Sequence, residues 1–143
     1  MTAVARIQEL LGGEAFTGPL RNEQDIVRLI RRGVPTAAVD HFLESTHLPF
    51  NALDPNVLNR RTFKRRQQSA QPLDQAESDR LLRLVTVVAA AEETFGDPEK
   101  AQTWLNRENR TLGGERPLAM ADTDQGARAV EALLGRIAHG IAA

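Results

Sequence analysis

Between Pro72 and Gly96 the chain places Leu81, Leu84, Val85, Val88 and Phe95 at intervals that put all five on one face of an α-helix. Asp74 and Glu77 stand three apart just ahead of this run, the spacing of a capping box that satisfies two of the free N–H groups at a helix start. The same punctuation recurs along the chain. Asn22 can cap a helix over EQDIVRLIRR, with acidic residues in its first turn, Arg31 and Arg32 in its last, and Gly33 just beyond. Asp97 followed by Pro98 has the preferred N-cap and N1 order, and that helix carries Trp104 and Leu105. A last helix is expected from about Thr123 to His139, with Val130, Leu134 and Ile137 as its apolar stripe and Gly140 as its cap. Shorter helical blocks fall at ARIQELLGG and from Pro35 or Thr36 through Val39, Phe42 and Leu43. Few stretches show the apolar-polar alternation of a half-buried strand, so the fold class expected is all-α.

A chain of 143 residues makes one or at most two small domains. With 41% hydrophobic and 26% charged residues it has the composition of a packed globular protein, which excludes collagen-like and wholly disordered chains. Without cysteine there is no disulfide framework, thiolate zinc site or cysteine nucleophile. The longest apolar run, LVTVVAAA, is too short to span a bilayer, and the first residues lack a basic segment followed by an apolar block, so a cytoplasmic location is expected. The net charge of -1 conceals two unlike halves: ten basic against seven acidic residues through Pro72, and eight against twelve after it. Such asymmetry suggests different partners for the two halves. The stretch RRQQSAQP, residues 65 to 72, reads as the linker between them.

Candidates for catalysis are few. His41 and His47 are six apart, poor spacing for a metal pair, and His139 in a last helical turn reads as a capping residue. Asp122 and Asp124 read as N-cap and first-turn residues, and LGGERP has no phosphate-loop pattern. No catalytic residue, metal or cofactor is expected. The cluster NRRTFKRRQQ is different. Arg60, Arg61, Lys64 and Arg65 cover roughly 140° of a helical wheel while Phe63 points away, and no acidic residue lies between Asp54 and Asp74. A short helix with a basic outer face and an apolar anchor suits the major groove, where Arg reads guanine and other cations neutralise phosphates. Gly126 and Gly135 sit inside the last helix, where each costs about 1 kcal/mol relative to Ala. Gly126 lies near the apolar stripe, where it would permit close helix packing; Gly135 lies opposite, where the close approach of a partner chain would account for it.

In order, PLDQAESDRLLRL, TFGDPEKAQTWL and LGGERPLAMADTDQGARAVEALLGRIAHG, over residues 72 to 141, resemble the C-terminal toxin-binding domain of the Xre/MbcA/ParS antitoxin family. The front half resembles that family's Xre-like helix-turn-helix domain, with NRRTFKRR standing where the recognition helix belongs. Two residues depart from the pattern: Pro55 falls where the motif's first helix runs, and Val57 where a Gly is common in the turn. The resemblance implies a helix-turn-helix domain over residues 1–71 and a small helical toxin-binding domain over residues 72–143. It further implies a type II toxin-antitoxin system, in which this chain covers the active site of a RES-domain, NAD-consuming toxin. The antitoxin would be a homodimer within a larger complex, would repress its own operon by binding operator DNA, and would not itself be an enzyme. The DNA-binding residues would be Arg60, Arg61, Thr62, Lys64, Arg65 and Arg66. Those facing the toxin would be Leu112, Gly113, Gly114, Arg116, Pro117, Arg128, Arg136, His139 and Gly140, with the terminal IAHGIAA able to plug a pocket. The competing reading is a stand-alone transcriptional regulator whose C-terminal domain only dimerises.

Overall fold

The computed structural model describes residues 2–140, which form helices and turns without a strand. The chain divides into two compact units, Met1–Leu82 and Arg83–Ala143. The first contains α1 (Ala3–Leu10), α2 (Glu14–Thr17), α3 (Glu23–Arg32), α4 (Thr36–Thr46), α5 (Arg60–Gln68) and the start of α6 (Gln75–Phe95). The rest of α6, with α7 (Pro98–Leu105), α8 (Pro117–Met120) and α9 (Asp124–Ala138), belongs to the second.

Helix starts follow the expected chemistry. Asn22 Oδ1 accepts from the Asp25 N–H at 3.0 Å, and the Asp97 side chain caps Glu99 N–H at 2.9 Å. The capping box of α6 is reciprocal: Asp74 Oδ1 accepts from Glu77 N–H at 2.7 Å and Glu77 Oε1 from Asp74 N–H at 2.9 Å. At α9 the cap is Thr123, whose hydroxyl accepts from Gly126 N–H at 2.9 Å, rather than Asp122, and Asp124 takes the first turn. The C-cap of α9 is His139, with Gly140 following in the left-handed region.

In the first unit, α4 buries Ala38, Val39 and Phe42 and packs against α1, α2 and α5. The α3–α4 junction is tied to the start of α6 twice: Val34 N–H donates to Ser78 Oγ and Val34 C=O accepts from Leu73 N–H, each at 2.9 Å. Gly33, at φ 97°, has no room for a side chain there, because a Cβ would stand 2.3 Å from the Leu73 carbonyl oxygen. The stretch expected as a linker is therefore structural. Its first four residues complete α5, and the chain beyond them docks Leu73 into the core. At the start of α3, Asp25 is 5% exposed and accepts from Arg21 N–H, Arg21 Nε and Arg28 Nη1. The bond from the Arg21 guanidinium, with that from its backbone, holds the Asp25 carboxyl below the usual carboxylate range.

Pro55 has the effect its position predicts. Where the motif's first helix would run there is only a 3-10 turn, Phe50–Ala52, followed by turns through Val57. A proline donates no backbone hydrogen bond and pushes its predecessor out of the helical region. Leu53, Val57 and Leu58 are nevertheless buried, so the segment keeps its apolar function without its helix.

In the second unit Val85, Val88, Ala101, Leu105, Val130, Leu133 and Leu134 are buried, and α8 packs against both α7 and α9. The rings of Phe95 and Trp104 meet at 5.6 Å. Neither α8 nor the 3-10 turn Arg110–Leu112 is marked by apolar periodicity; both are single turns. The two glycines of α9 differ as their positions on the wheel suggest. A Cβ on Gly126 would lie 2.0 Å from the Met120 carbonyl oxygen, whereas one on Gly135 would meet nothing within 4 Å. Replacing Gly126 by Ala must therefore push α8 from α9 and is expected to cost about 1–3 kcal/mol. Gly135→Ala should instead raise stability by up to about 1 kcal/mol through helix propensity. Urea denaturation midpoints of the two variants, moving in opposite directions, check this pair.

Candidate functional site

The basic helix is held by its ends and its inner face. Asn59 Oδ1 caps α5 by accepting from Thr62 N–H at 2.8 Å, and Phe63, 5% exposed, anchors it beneath. The Phe63 ring meets that of Phe50 at 5.3 Å, and the Arg60 guanidinium lies over Phe50 at 4.8 Å from the ring centre. Arg60, Arg61, Lys64 and Arg65 are all exposed and, among the described residues, none is in an ion pair. With Gln68 they line one open depression. Thr62 is half-buried at the edge of this face.

Arg66 does not join them. Its Nε donates to Glu77 Oε1 at 2.9 Å and its Nη2 to Asp74 Oδ2 at 3.4 Å, and its side chain is only 16% exposed. The capping box of α6 thus binds this arginine as well as its own backbone. The wheel shows why: Arg66 falls about 60° from Phe63, on the buried side of α5 and outside the arc of the other four cations. Arg66, expected among the DNA-facing residues, is thus turned into the fold and away from the four exposed cations. Two more residues at the start of α6 tie down what precedes it: besides Ser78 on Val34, the Arg80 guanidinium donates to the Val57 carbonyl through Nε at 3.1 Å and Nη2 at 2.8 Å. Glu77, Ser78 and Arg80, grouped by sequence with the second half, serve the first unit.

The second group of candidates lies on the loop before α8 and on α9. Leu112 ends the 3-10 turn and is half-buried; Gly113 (φ 70°) and Gly114 (φ 86°) follow, exposed, with open space where side chains would be. Asn109 shapes this loop, its Oδ1 accepting from Thr111 N–H and its N–H donating to the Glu115 carbonyl, both at 3.0 Å. Arg116 is exposed and Pro117 is buried at the first position of α8. On α9, Arg128, Gly135, Arg136 and His139 are exposed and, with Ala132, span roughly 100° of the wheel opposite the buried Val130, Leu133 and Leu134. Arg128 pairs with Asp124 at 2.8 Å, His139 Nδ1 lies 2.7 Å from the Gly135 carbonyl oxygen, and Gly140 has φ 71°. Residues 141–143, the end of the IAHGIAA segment, lie outside the described residues. Glu131, beside this face, has its carboxyl raised above the ordinary range, first by burial.

Histidine positions carry no ligand geometry. His47 caps α4 at φ 58°, and among the described residues no three His, Asp or Glu side chains cluster to hold a metal ion. No helix among them is long and apolar enough to cross a membrane.

Arg66→Ala is expected to lower stability by about 1.5–3 kcal/mol, the worth of a hydrogen bond to a charged group. Arg61→Ala on the exposed face should change it by no more than about 0.5 kcal/mol. Denaturation of the two variants in parallel separates the structural arginine from the surface one.

Comparison with known proteins agrees with the two-part architecture. The antitoxin Xre-like helix-turn-helix domain matches residues 25–85, and the antitoxin Xre/MbcA/ParS C-terminal toxin-binding domain matches residues 90–140. An Antitoxin Xre of Photorhabdus laumondii is 35% identical over 133 residues, covering 92% of this chain and 86% of the relative. An Antitoxin Xre of Pseudomonas putida is 40% identical over 84 residues, 59% of this chain, and the matched segment spans about half of that relative's length, 53%. A protein of Sphingobium named Prs ADP-ribosylating antitoxin is 28% identical over 129 residues, covering 81% of this chain and 79% of the relative. With a helix-turn-helix domain carrying a basic α5 and a toxin-binding domain built on α7 to α9, the chain belongs to the Xre/MbcA/ParS antitoxin family.

Proposed function

We propose that this chain is the non-enzymatic antitoxin of a type II toxin-antitoxin system, neutralising a RES-domain, NAD-consuming toxin by covering its active site. In this reading residues 72–143 bind the toxin, residues 1–71 bind operator DNA to repress the operon, and the antitoxin acts as a cytoplasmic homodimer. The observation that carries the reading is the division of exposed, unpaired cations. Among the described residues, four lie together on α5 in the unit that matches the helix-turn-helix domain, whereas in the unit that matches the toxin-binding domain such cations, Arg116 and Arg136 among them, are spread over several elements. The name of the Sphingobium relative joins an antitoxin to ADP-ribosylation, a chemistry that consumes NAD, which supports the choice of partner.

The two surfaces suit different partners. Cations on α5 would release counterions from DNA phosphates, giving affinity that falls with salt. On the second unit, two glycines without side-chain bulk let a partner's backbone come close, and exposed arginines are frequent anchors at protein interfaces. Gly135 fits the same use: its missing Cβ serves no contact among the described residues, but leaves room on the face that carries Arg128, Arg136 and His139.

Co-expression with the RES-domain enzyme encoded beside it should restore growth and yield a co-purifying complex; a toxin that stays active and unbound would end the antitoxin reading. Arg116→Ala and Arg136→Ala should each weaken the complex by roughly 5-fold or more, and removing residues 136–143 should weaken inhibition. Unchanged inhibition after that deletion would move the toxin interface away from the end of α9.

For DNA, replacing Arg61, Lys64 and Arg65 by Ala should lower affinity for the DNA preceding the operon and reduce the slope of log affinity against log salt by roughly 0.9 for each phosphate no longer neutralised. Equal affinity and slope would show that α5 does not touch the duplex.

A further inference from the structure

The geometry points to Arg60 as the residue that reads base sequence, a guanine in the major groove, its guanidinium held for that purpose by the ring of Phe50. This rests on the DNA-binding reading and divides the labour within the cationic face. Arg61, Lys64 and Arg65 have no ring or carboxylate partner among the described residues, so each would lose side-chain freedom on fixing one geometry at a base edge. Arg60 differs in three ways. It is the first residue of α5, and the N-terminal residues of a recognition helix are those that reach base edges. Its guanidinium carbon lies over Phe50, 4.8 Å from the ring centre, and Phe50 meets the buried Phe63 at 5.3 Å, so the cation is braced through two rings to the core. Its backbone N–H faces Asp54 Oδ2 at 3.4 Å, so the helix start is held from the same turn segment that presents Phe50.

The cation–π contact restrains Arg60 without pairing its guanidinium to a carboxylate among the described residues. The planar guanidinium carries five N–H donors in a fixed fork. That fork matches guanine O6 and N7, the most frequent specific side-chain contact in the major groove. A lysine ammonium offers the same charge but no planar fork. Base choice should therefore depend on the Arg60–Phe50 pair, and general attraction to the phosphates on the other three cations.

Selection from randomised double-stranded DNA, using the full chain at fixed salt, tests this with Arg60→Lys, Phe50→Leu and Arg61→Lys. All three conserve charge, and thermal melting checks that each is folded. Wild type should enrich a motif containing a guanine. Arg60→Lys should lose preference at that position by roughly 5- to 150-fold, the range spanned by one bidentate pair. Phe50→Leu should lose less at the same position, while Arg61→Lys retains the motif. A motif kept by Arg60→Lys overturns the assignment even if Phe50→Leu proves too unstable to use, and so does a guanine preference lost with Arg61→Lys instead. If wild type binds duplex DNA but enriches no motif, the base-reading assignment fails while the DNA-binding reading stands. If it binds no duplex even at low salt, both fail.

Discussion

The first two turns of α6 are the point on which the helix-turn-helix unit depends. Glu77 closes a capping box with Asp74 and takes the Arg66 guanidinium; Ser78 takes the Val34 N–H; Arg80 grips the Val57 carbonyl. These bonds span 11, 44 and 23 residues of chain, so one helix start fixes α5, the α3–α4 junction and the turn segment before α5. Burial makes them demanding. Glu77 and Ser78 are 7% and 0% exposed, and a buried polar group that loses its partner costs its full desolvation penalty. The ties through Arg66 and Arg80 also decide what α5 can do, because locking its inner face to α6 leaves Arg60, Arg61, Lys64 and Arg65 outward.

Much of this was legible in the residues because helix starts are local chemistry. Asn22, Asp97 and the Asp74–Glu77 pair each act on N–H groups two or three residues away, so their spacing reports their role. Long-range bonds left no such mark. Nothing near Ser78 identifies Val34 as its partner, and RRQQSAQP looks like a polar linker although Leu73 just beyond it is buried. Single-turn elements such as α2 and α8 are too short for periodicity to show. Arg66 is an intermediate case. Its angle on the wheel separates it from the other cations, but only the position of Glu77 shows where it goes.

The missing helix before α5 shows which features of the motif the fold requires. Pro55 removes the regular hydrogen bonding, yet Leu53, Val57 and Leu58 remain buried and the Val57 carbonyl, free of a helical partner, is satisfied by the Arg80 fork. Burying apolar side chains and pairing backbone groups are both met by turns plus one arginine. The same irregular segment carries Phe50 and Asp54, the two residues that approach Arg60. A regular helix would be one way to present them; here turns do so.

Net charge conceals this organisation. At -1 the chain looks unsuited to nucleic acid, but beyond about 8 Å exposed charges are largely screened at physiological ionic strength, so a phosphate senses local charge and not the sum. What matters is whether acids near α5 pair with its outward cations, and among the described residues none does. Asp40 accepts from Gln67 Nε2 at 2.9 Å, Asp54 Oδ2 faces the Arg60 N–H at 3.4 Å, and Asp74 and Glu77 are committed to the capping box and Arg66. Burial and the neighbouring Glu44 also raise the Asp40 carboxyl above its ordinary range, which weakens its claim to a full charge as pH falls. The acidic surplus of the chain therefore coexists with a cationic face that is in no ion pair among the described residues: Asp74 and Glu77 are spent on holding the fold, and the arginine they hold is the one that does not face outward.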